Sequence, residues 1–220
     1  MDFQKLSTQN FLIIFITTII SMLSIGSLWV NDIYSISHKD FITLKHNYIT
    51  SQKNILKTQI DNIKNNIENI INICENKTNN NVSIKELQHI ILNQLRAYRF
   101  GKDGYVFVYN TKGVNIMHPV KPQLEGKNLL DLKDKNGKYL IRELIKASTS
   151  KTNHFVEYLW QQPSTNKIVE KLGYAQNIPQ WNWMIGSGLY MNSIDAVLNT
   201  KYTGATCKFQ PTQATNLPLS

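Results

Sequence analysis

Residues 99–190 contain several short runs in which apolar or aromatic side chains alternate with polar ones, and this pattern most restricts the folds open to the chain. Successive side chains on a β-strand point to opposite faces of a sheet, so alternation with a period of two indicates strands. The runs lie at residues 105–109, 114–118, 155–161, 168–175 and 183–190. Turn residues at 110–113 separate the first two runs. We therefore predict an antiparallel, meandering sheet.

A long helical pattern precedes the strands, between residues 33 and 75. Apolar residues recur there every seven positions, at Ile49, Leu56, Ile63 and Ile70. This stripe requires a packing partner, either the chain's own sheet or a second copy in a coiled-coil dimer. We favour the sheet because Lys53 interrupts the second row of the stripe, and a homodimer through the long helix is the alternative.

A second, shorter helix is predicted immediately before the strands. Ser83 and Glu86 form a capping-box pattern, in which a hydroxyl and a carboxylate satisfy free amide donors at a helix start. Gly101 ends this helix. Arg96 and Arg99 stand near that end, where a cation complements the helix dipole. Another amphipathic helix is predicted over residues 139–148, which makes the fold class α+β.

Residues 11–30 carry no charge and form a continuous apolar run. At about 1.5 Å per residue, a helix of this length spans the roughly 30 Å hydrocarbon layer of a bilayer. The run is longer than the apolar region of a cleavable signal peptide, and apolar residues follow its small residues at once. We therefore predict an uncleaved anchor. The flanking charges weakly favour an internal N-terminus and an exported remainder.

The formal net charge of +9 does not by itself indicate a nucleic-acid partner. Basic chains often bind nucleic acids, but an exported domain rarely meets them. The lysines between residues 45 and 85 are also dispersed among Asn and Ile rather than clustered. We interpret them as solvated helix faces and predict no nucleic-acid partner.

The motifs of catalysis and metal binding are missing from the sequence. The five histidines lack i, i+4 pairing, and there is no Gly-x-Ser-x-Gly elbow or Cys-His arrangement that would activate a nucleophile. Asp134-x-Asn136-Gly137 lacks two ligands of a calcium loop and predicts a turn. The two cysteines, Cys74 and Cys207, do not indicate a disulfide framework. We predict a protein that is not an enzyme, with no catalytic residues, no metal and no cofactor.

The strand region contains the elements of a recognition site. It offers several hydrogen-bond donors and one cation among aromatic walls: Tyr105, His118, Tyr158, Trp160, Lys171 and Tyr174. Taken singly, each tyrosine would be interpreted as a core residue, and the combination carries the prediction. Such a mixture suits a small anion, above all a carboxylate.

Seven motifs follow one another in this region with specific spacing. They are Arg99-Phe100-Gly101-x-x-Gly104-Tyr105-Val106-Phe107-Val108, His118-Pro119, Leu124-x-Gly126-Lys127-Asn128, Asp134-x-Asn136-Gly137, Phe155-Val156-Glu157-Tyr158-x-Trp160, Lys171-Leu172-x-Tyr174 and Trp181-x-Trp183-x-Ile185-Gly186-x-Gly188-x-Tyr190. Over about residues 83–197 the chain closely resembles the single Cache sensor domain, type 2. Members of that family are extracytoplasmic sensors of bacterial chemoreceptors, histidine kinases and cyclic-dinucleotide enzymes, and several bind small carboxylates.

The resemblance implies a PAS-like antiparallel sheet flanked by a long N-terminal helix. It also implies a ligand pocket lined by Arg99, Tyr105, His118, Tyr158, Lys171 and Tyr174, with Phe107 and Trp160 as apolar walls. Arg99 or Lys171 would pair with the ligand carboxylate, and the sequence does not decide between them. His118 and the tyrosines would donate hydrogen bonds.

These inferences divide the chain into five parts. They are a cytoplasmic N-terminus (1–10), a transmembrane helix (11–30), a long amphipathic helix and loop (31–82), the sensor domain (83–197) and an atypical polar tail (198–220). A family receptor would continue into a second membrane span and a transmitter. The composition after Thr200 leads us to expect a truncated or frameshifted receptor. The alternatives are a tethered binding module and a protein that pairs with a complete receptor through its long helix.

The predicted function is that of a single-pass inner-membrane protein whose periplasmic or extracellular domain senses a short-chain carboxylate for chemotaxis or two-component signalling. The alternative is a membrane-tethered, dimerising structural or partner-binding protein without a small-molecule ligand. That alternative depends on the heptad stripe at residues 49–70, which would then pack on a second copy.

Overall fold

The computed structural model describes residues 3–76 and 83–206. The α-helices within them are α1 (Phe3–Asn76), α2 (Ile84–Ala97), α3 (Leu140–Ser148) and α4 (Met191–Thr206). The strands are β1 (Arg99–Phe100), β2 (Gly104–Tyr105), β3 (Phe107–Asn110), β4 (Asn115–Met117), β5 (Phe155–Gln161), β6 (Ile168–Ile178) and β7 (Trp183–Tyr190). The predicted α+β class is confirmed. Cys207 lies outside the described residues, as do residues 77–82 at the end of the predicted helix and loop segment (31–82).

The chain divides after Tyr48 into two compact units. In the first unit, Met1–Tyr48, helix α1 contains the stretch Ile13–Asp32, which is long and apolar enough to cross a membrane. None of this stretch is buried against other parts of the protein. Its large side chains, such as Leu23 and Trp29, are exposed. The stretch overlaps the membrane segment predicted at residues 11–30.

A five-stranded antiparallel sheet forms the centre of the second unit, Ile49–Ser220, with the strand order β4-β3-β7-β6-β5. Strands β5, β6 and β7 form the predicted meander. β7 also pairs with β3. As a result, β4 and β5 are the two edge strands, and the connection between them, which contains α3, runs from one edge of the sheet to the other. β1 and β2 pair with each other in a separate two-stranded ladder.

Helices cover both faces of the sheet. On one face, the α1 residues Leu56, Ile60 and Ile67 are buried in a core shared with α2 and with residues of β3, β6 and β7. The apolar stripe of the long helix therefore packs on the chain's own sheet, as predicted. On the other face, α3 buries Leu140 and Leu144 against aromatic residues of β2, β3 and β5.

Ser83 and Asp134 act as the sequence indicates, but the prediction that Gly101 ends α2 is wrong, because the helix ends at Ala97 and Gly101 lies in the turn between β1 and β2. Ser83 Oγ accepts the backbone N–H of Glu86 at 3.2 Å and caps α2. Asp134 Oδ1 accepts the N–H groups of Asn136 and Lys138, which makes the predicted turn. The same carboxylate accepts Leu159 N–H at 3.0 Å, so this turn covers the outer edge of β5.

Helix α4 begins without any connecting loop, because Tyr190 ends β7 and Met191 starts the helix. The buried Gln162 side chain anchors the first turn of α4. Its Nε2 donates to Ser193 Oγ at 2.9 Å, and its Oε1 accepts from Asn192 Nδ2 at 2.8 Å. Gln162 Nε2 also donates to Asp103 Oδ2 at 2.7 Å, which ties the β1–β2 turn to the start of α4.

Candidate ligand-binding site

A small cavity lies between the sheet and α3. Its walls are aromatic on the sheet side and aliphatic on the helix side, and they comprise Tyr105, Phe107, Tyr109, His118, Leu140, Ile141, Leu144, Tyr158 and Trp160. The cavity volume is ≈ 10 Å³, about the space that one water molecule requires. The side chains therefore nearly fill the site, and a larger ligand requires them to move apart.

Lys171 on β6 places a buried ammonium beside this aromatic wall. Its Nζ lies 4.1 Å from the ring centroid of Tyr105, 4.8 Å from that of Tyr190 and 5.7 Å from that of Phe107. The residue is 1% exposed. Among the described residues, no carboxylate forms an ion pair with it. Besides the ring faces, the Tyr105 hydroxyl and the more distant Asp103 carboxylate favour the charged form of Lys171. Buried charges are normally paired, and neither group forms an ion pair with this cation.

Glycines in β7 make room for the side chains that reach the site. A Cβ added at Gly188 would lie 2.7 Å from Lys171 Cε, so the lysine side chain crosses β7 directly over bare backbone. A Cβ at Gly186 would lie 2.7 Å from the Phe107 ring. This close packing at Gly186 and Gly188 lets Lys171 reach Tyr105 across a neighbouring strand.

His118, which follows β4, is oriented by two backbone hydrogen bonds. Its own N–H donates to Glu125 Oε1 at 2.8 Å, and its Nδ1 accepts the N–H of Lys121 at 3.0 Å. An acceptor Nδ1 assigns the proton of the neutral ring to Nε2. Burial, with the charges of Lys171 and Lys121, lowers the pKa of His118 to about 3. The ring is therefore a neutral hydrogen-bond donor at physiological pH.

The tyrosines differ in their electrostatic setting. Burial acts to raise the pKa of Tyr105, but the neighbouring Lys171 ammonium and hydrogen bonds bring the net pKa below its usual value. Burial lowers the pKa of Lys171, and Tyr105 opposes that change. Burial raises the pKa of Tyr158, which stays protonated. The Tyr190 hydroxyl donates to the Gln161 carbonyl oxygen at 3.0 Å and lies 3.5 Å from the Tyr105 hydroxyl.

The structure brings most of the predicted site residues together. Tyr105, Phe107, His118, Tyr158 and Trp160 line the cavity, and Lys171 contacts its rings. Arg99 is not among them. It is exposed on β1, and its Nη1 donates to the carbonyl oxygens of Arg96 at 2.7 Å and Tyr98 at 2.9 Å. It therefore satisfies backbone groups at the end of α2, and of the two predicted cations Lys171 is the one that contacts the cavity walls.

Tyr174 also lies away from the cavity, on the opposite face of the sheet. It stands three positions after Lys171 on β6, and an odd separation places two side chains on opposite faces. Its hydroxyl donates to Asp61 Oδ1 on α1 at 2.8 Å. Tyr174 thus holds the long helix against the sheet.

Sequence reasoning missed three parts of the site: Tyr109, Tyr190 and the apolar face of α3. Tyr109 shares the strand face of Tyr105 and Phe107, so the period-two pattern was a sufficient signal for it. The position of Tyr190 at the site follows from the pairing of β6 with β7, in which Tyr190 lies opposite Lys171. No single motif predicts that register.

The site is thus a small cavity, with aromatic and polar groups on the sheet side, in an antiparallel sheet that has helices on both faces. Comparison with protein families matches residues 34–209 to the Cache domain. The chain belongs to the Cache domain family, as its motifs predicted. Cache domains form the sensor regions of chemotaxis receptors and sensor histidine kinases, and this fold is mixed α and β.

Individual relatives agree with this assignment. Over 102 residues the chain is 40% identical to the sensor histidine kinase MctS of Rhizobium johnstonii. This alignment covers 46% of this chain and 22% of that protein. A crystal structure of a methyl-accepting chemotaxis protein from Vibrio parahaemolyticus is 34% identical with a TM-score of 0.60, covering 70% of this chain and 99% of that one. A Cache chemosensory domain described for carboxylic acid recognition shares the fold, at 24% identity and a TM-score of 0.52, with coverage of 63% and 97%.

The chain spans about a fifth of the length of the curated relatives that it matches. The truncation expected from the polar tail at 198–220 stays a prediction, because residues 207–220 lie outside the described residues. Helix α4 continues through Thr206.

Proposed function

We propose that the chain is the extracytoplasmic ligand-sensing part of a bacterial chemotaxis or two-component receptor, and that its ligand is a short-chain carboxylate. The observation that carries the proposal is the buried Lys171 ammonium, which contacts the cavity walls and has no carboxylate partner among the described residues. A ligand carboxylate supplies the missing charge. Hydrogen bonds to a charged group contribute about 1.5–3 kcal/mol each, enough to select an anion over its neutral isostere.

The surrounding groups favour a small ligand with one polar end. His118 offers a neutral Nε2–H donor, and Tyr105 offers a hydroxyl beside the cation. The opposite wall is aliphatic, from Leu140 and Leu144 of α3. Because the cavity volume is only ≈ 10 Å³, each added methylene requires further displacement of wall side chains. We therefore propose acids of two to four carbon atoms.

The stretch Ile13–Asp32 serves in this proposal as the membrane anchor, with the N-terminus inside and the sensor domain in the periplasm. The apolar length of this segment supports an anchor, and the receptor relatives support the placement. Protease protection of the N-terminal residues in right-side-out vesicles tests the orientation. Cleavage of the sensor domain only from the inner side would reverse it.

The ligand proposal is tested by calorimetric titration of the full chain in detergent micelles with acetate, propionate, pyruvate and lactate. Propionamide is the neutral control for propionate. We expect saturable binding of at least one acid and none of the amide. Lys171→Met should abolish binding. Arg99→Ala is the matched control and should bind normally, since Arg99 is exposed and bonded to the end of α2. Absence of binding by every acid, or normal binding by Lys171→Met, would refute the proposal.

The dimerising alternative rests on the same helix stripe that packs against the sheet. Leu56 and Ile60 are fully buried within the single chain, so these positions are already occupied. Homodimerisation through other positions of the long helix stays a prediction. Sedimentation of the full chain at micromolar concentration tests it.

A further inference from the structure

Glu125 joins the C-terminal end of α2 to the segment that carries His118. Its two carboxylate oxygens accept from the Arg96 guanidinium, with Nη1 to Oε1 at 2.6 Å and Nη2 to Oε2 at 2.9 Å. Oε1 also accepts the His118 backbone N–H at 2.8 Å. A paired, bidentate geometry of this kind fixes direction as well as distance. One carboxylate therefore connects the end of a helix with the backbone at the cavity.

The segment between His118 and Glu125 folds back on itself. A short 3₁₀ turn at Pro122–Leu124 precedes Glu125, and the Lys121 N–H donates to His118 Nδ1 at 3.0 Å. The Lys121 Nζ lies 4.8 Å from the Trp160 ring, which is a wall of the cavity. The backbone of His118 is thus held by Glu125, while its ring is held by Lys121.

His118 is the only one of these hydrogen-bonded groups within the described chain that also lines the cavity. Its ring centroid lies 5.1 Å from that of Tyr105 and 6.4 Å from that of Phe107. Arg96 and Glu125 are half-exposed and line no part of the cavity. Glu125 contacts the cavity-lining residue His118 directly, through the His118 backbone N–H.

We propose that Arg96 and Glu125 are positioning residues for the ligand site, which hold His118 as a neutral, Nε2-protonated donor against the cavity. The inference rests on the proposed function for its binding consequence, while its effect on the His118 ring does not require a ligand. It also makes the end of α2 part of the site, although α2 contributes no residue to the cavity.

The competing interpretation is an ion pair that only attaches α2 to the segment. A charge swap separates the two, because Arg96→Glu with Glu125→Arg restores an ion pair but leaves no acceptor for the His118 N–H. Glu125→Gln keeps one acceptor oxygen and loses the charge. Glu68→Ala is a matched control, since it removes a half-exposed ion pair with Lys64 on α1.

The experiment combines two measurements on the full chain in micelles. ¹⁵N NMR of the His118 ring should show one Nε2-protonated tautomer in the wild type and in Glu68→Ala, and averaged nitrogen shifts in Glu125→Ala and in the charge swap. Propionate affinity should fall about tenfold or more in Glu125→Ala and in the swap, and less in Glu125→Gln.

Two results would overturn the inference: an unchanged His118 tautomer in Glu125→Ala, or full recovery of both thermal stability and propionate affinity in the swap. A fixed tautomer that is lost in Glu125→Ala, with no acid bound by any form of the protein, would support the positioning role and refute the carboxylate proposal instead.

Discussion

Replacing Lys171 by Met should stabilise the ligand-free protein while abolishing ligand binding. Met keeps an unbranched side chain of similar size, so the packing over Gly188 changes little. The change removes the cost of burying an ammonium, which is several kcal/mol after relaxation. It also removes the attraction to the ring faces of Tyr105 and Tyr190, about 2 kcal/mol for a desolvated cation. The net gain in the free energy of unfolding is about 1–3 kcal/mol by these magnitudes.

The gain should depend on pH in a definite direction. Burial lowers the pKa of Lys171 from its ordinary value of 10.5. Between the lowered pKa and 10.5, the unfolded chain binds more protons than the folded one, so wild-type stability rises with pH in that interval. Below the lowered pKa the cost of the buried charge is fully present. The Met variant lacks this term, so its advantage is greatest below the lowered pKa of Lys171 and shrinks as the pH approaches 10.5.

Urea unfolding of the full chain, followed by tryptophan fluorescence from pH 7 to 9.5, measures this difference. A gain of 1 kcal/mol corresponds to about 2–4 °C in Tm for a domain of this size. Lys133→Met is the control, because Lys133 also lies over a tyrosine ring, at 4.6 Å from the Tyr139 centroid, but is exposed. The reasoning is refuted if Lys171→Met is less stable than the wild type at pH 7, or if the difference does not change with pH.

Three further substitutions test the site and the packing around it. Gly188→Ala should displace Lys171, lower the free energy of unfolding by about 1–3 kcal/mol and weaken propionate binding, measured by urea unfolding and calorimetry. Tyr174→Phe should lower stability by about 1 kcal/mol through the lost bond to Asp61, with propionate affinity unchanged; weakened binding would contradict its place on the far face. Leu56→Ala should cost about 2–5 kcal/mol in urea unfolding, and a negligible cost would show that α1 does not pack on the sheet.

The secondary structure was predictable because each element has a local cause. Period-two alternation marks β5 and β7, and the structure places those strands at the residues predicted. Ser83 identifies the start of α2 through its side-chain cap. The position of β7 between β3 and β6 was not predictable in this way, because strand order depends on contacts between residues far apart in the sequence.

The candidate site was predictable only where one strand carries its residues. Tyr105 and Phe107 share a face, so the alternation places both at the cavity. The same period-two rule places Lys171 and Tyr174 on opposite faces of β6, because they are three residues apart. Both were nevertheless assigned to the pocket because they belong to one motif. Arg99 could not be placed from sequence, because whether a cation at a helix end turns to the backbone or to a pocket depends on tertiary geometry.

The direct junction between β7 and α4 bears on how a sensor of this shape transmits a signal. Tyr190 contacts the Lys171 ammonium, and α4 starts at the next residue. A flexible linker at this place would average out small displacements within nanoseconds to microseconds. Here Gln162 holds the first turn of α4 through hydrogen bonds to Asn192 and Ser193, so the start of the helix is fixed relative to the end of β5. Only one peptide bond separates Tyr190 from Met191, so we expect a backbone shift of Tyr190 to move the first turn of α4.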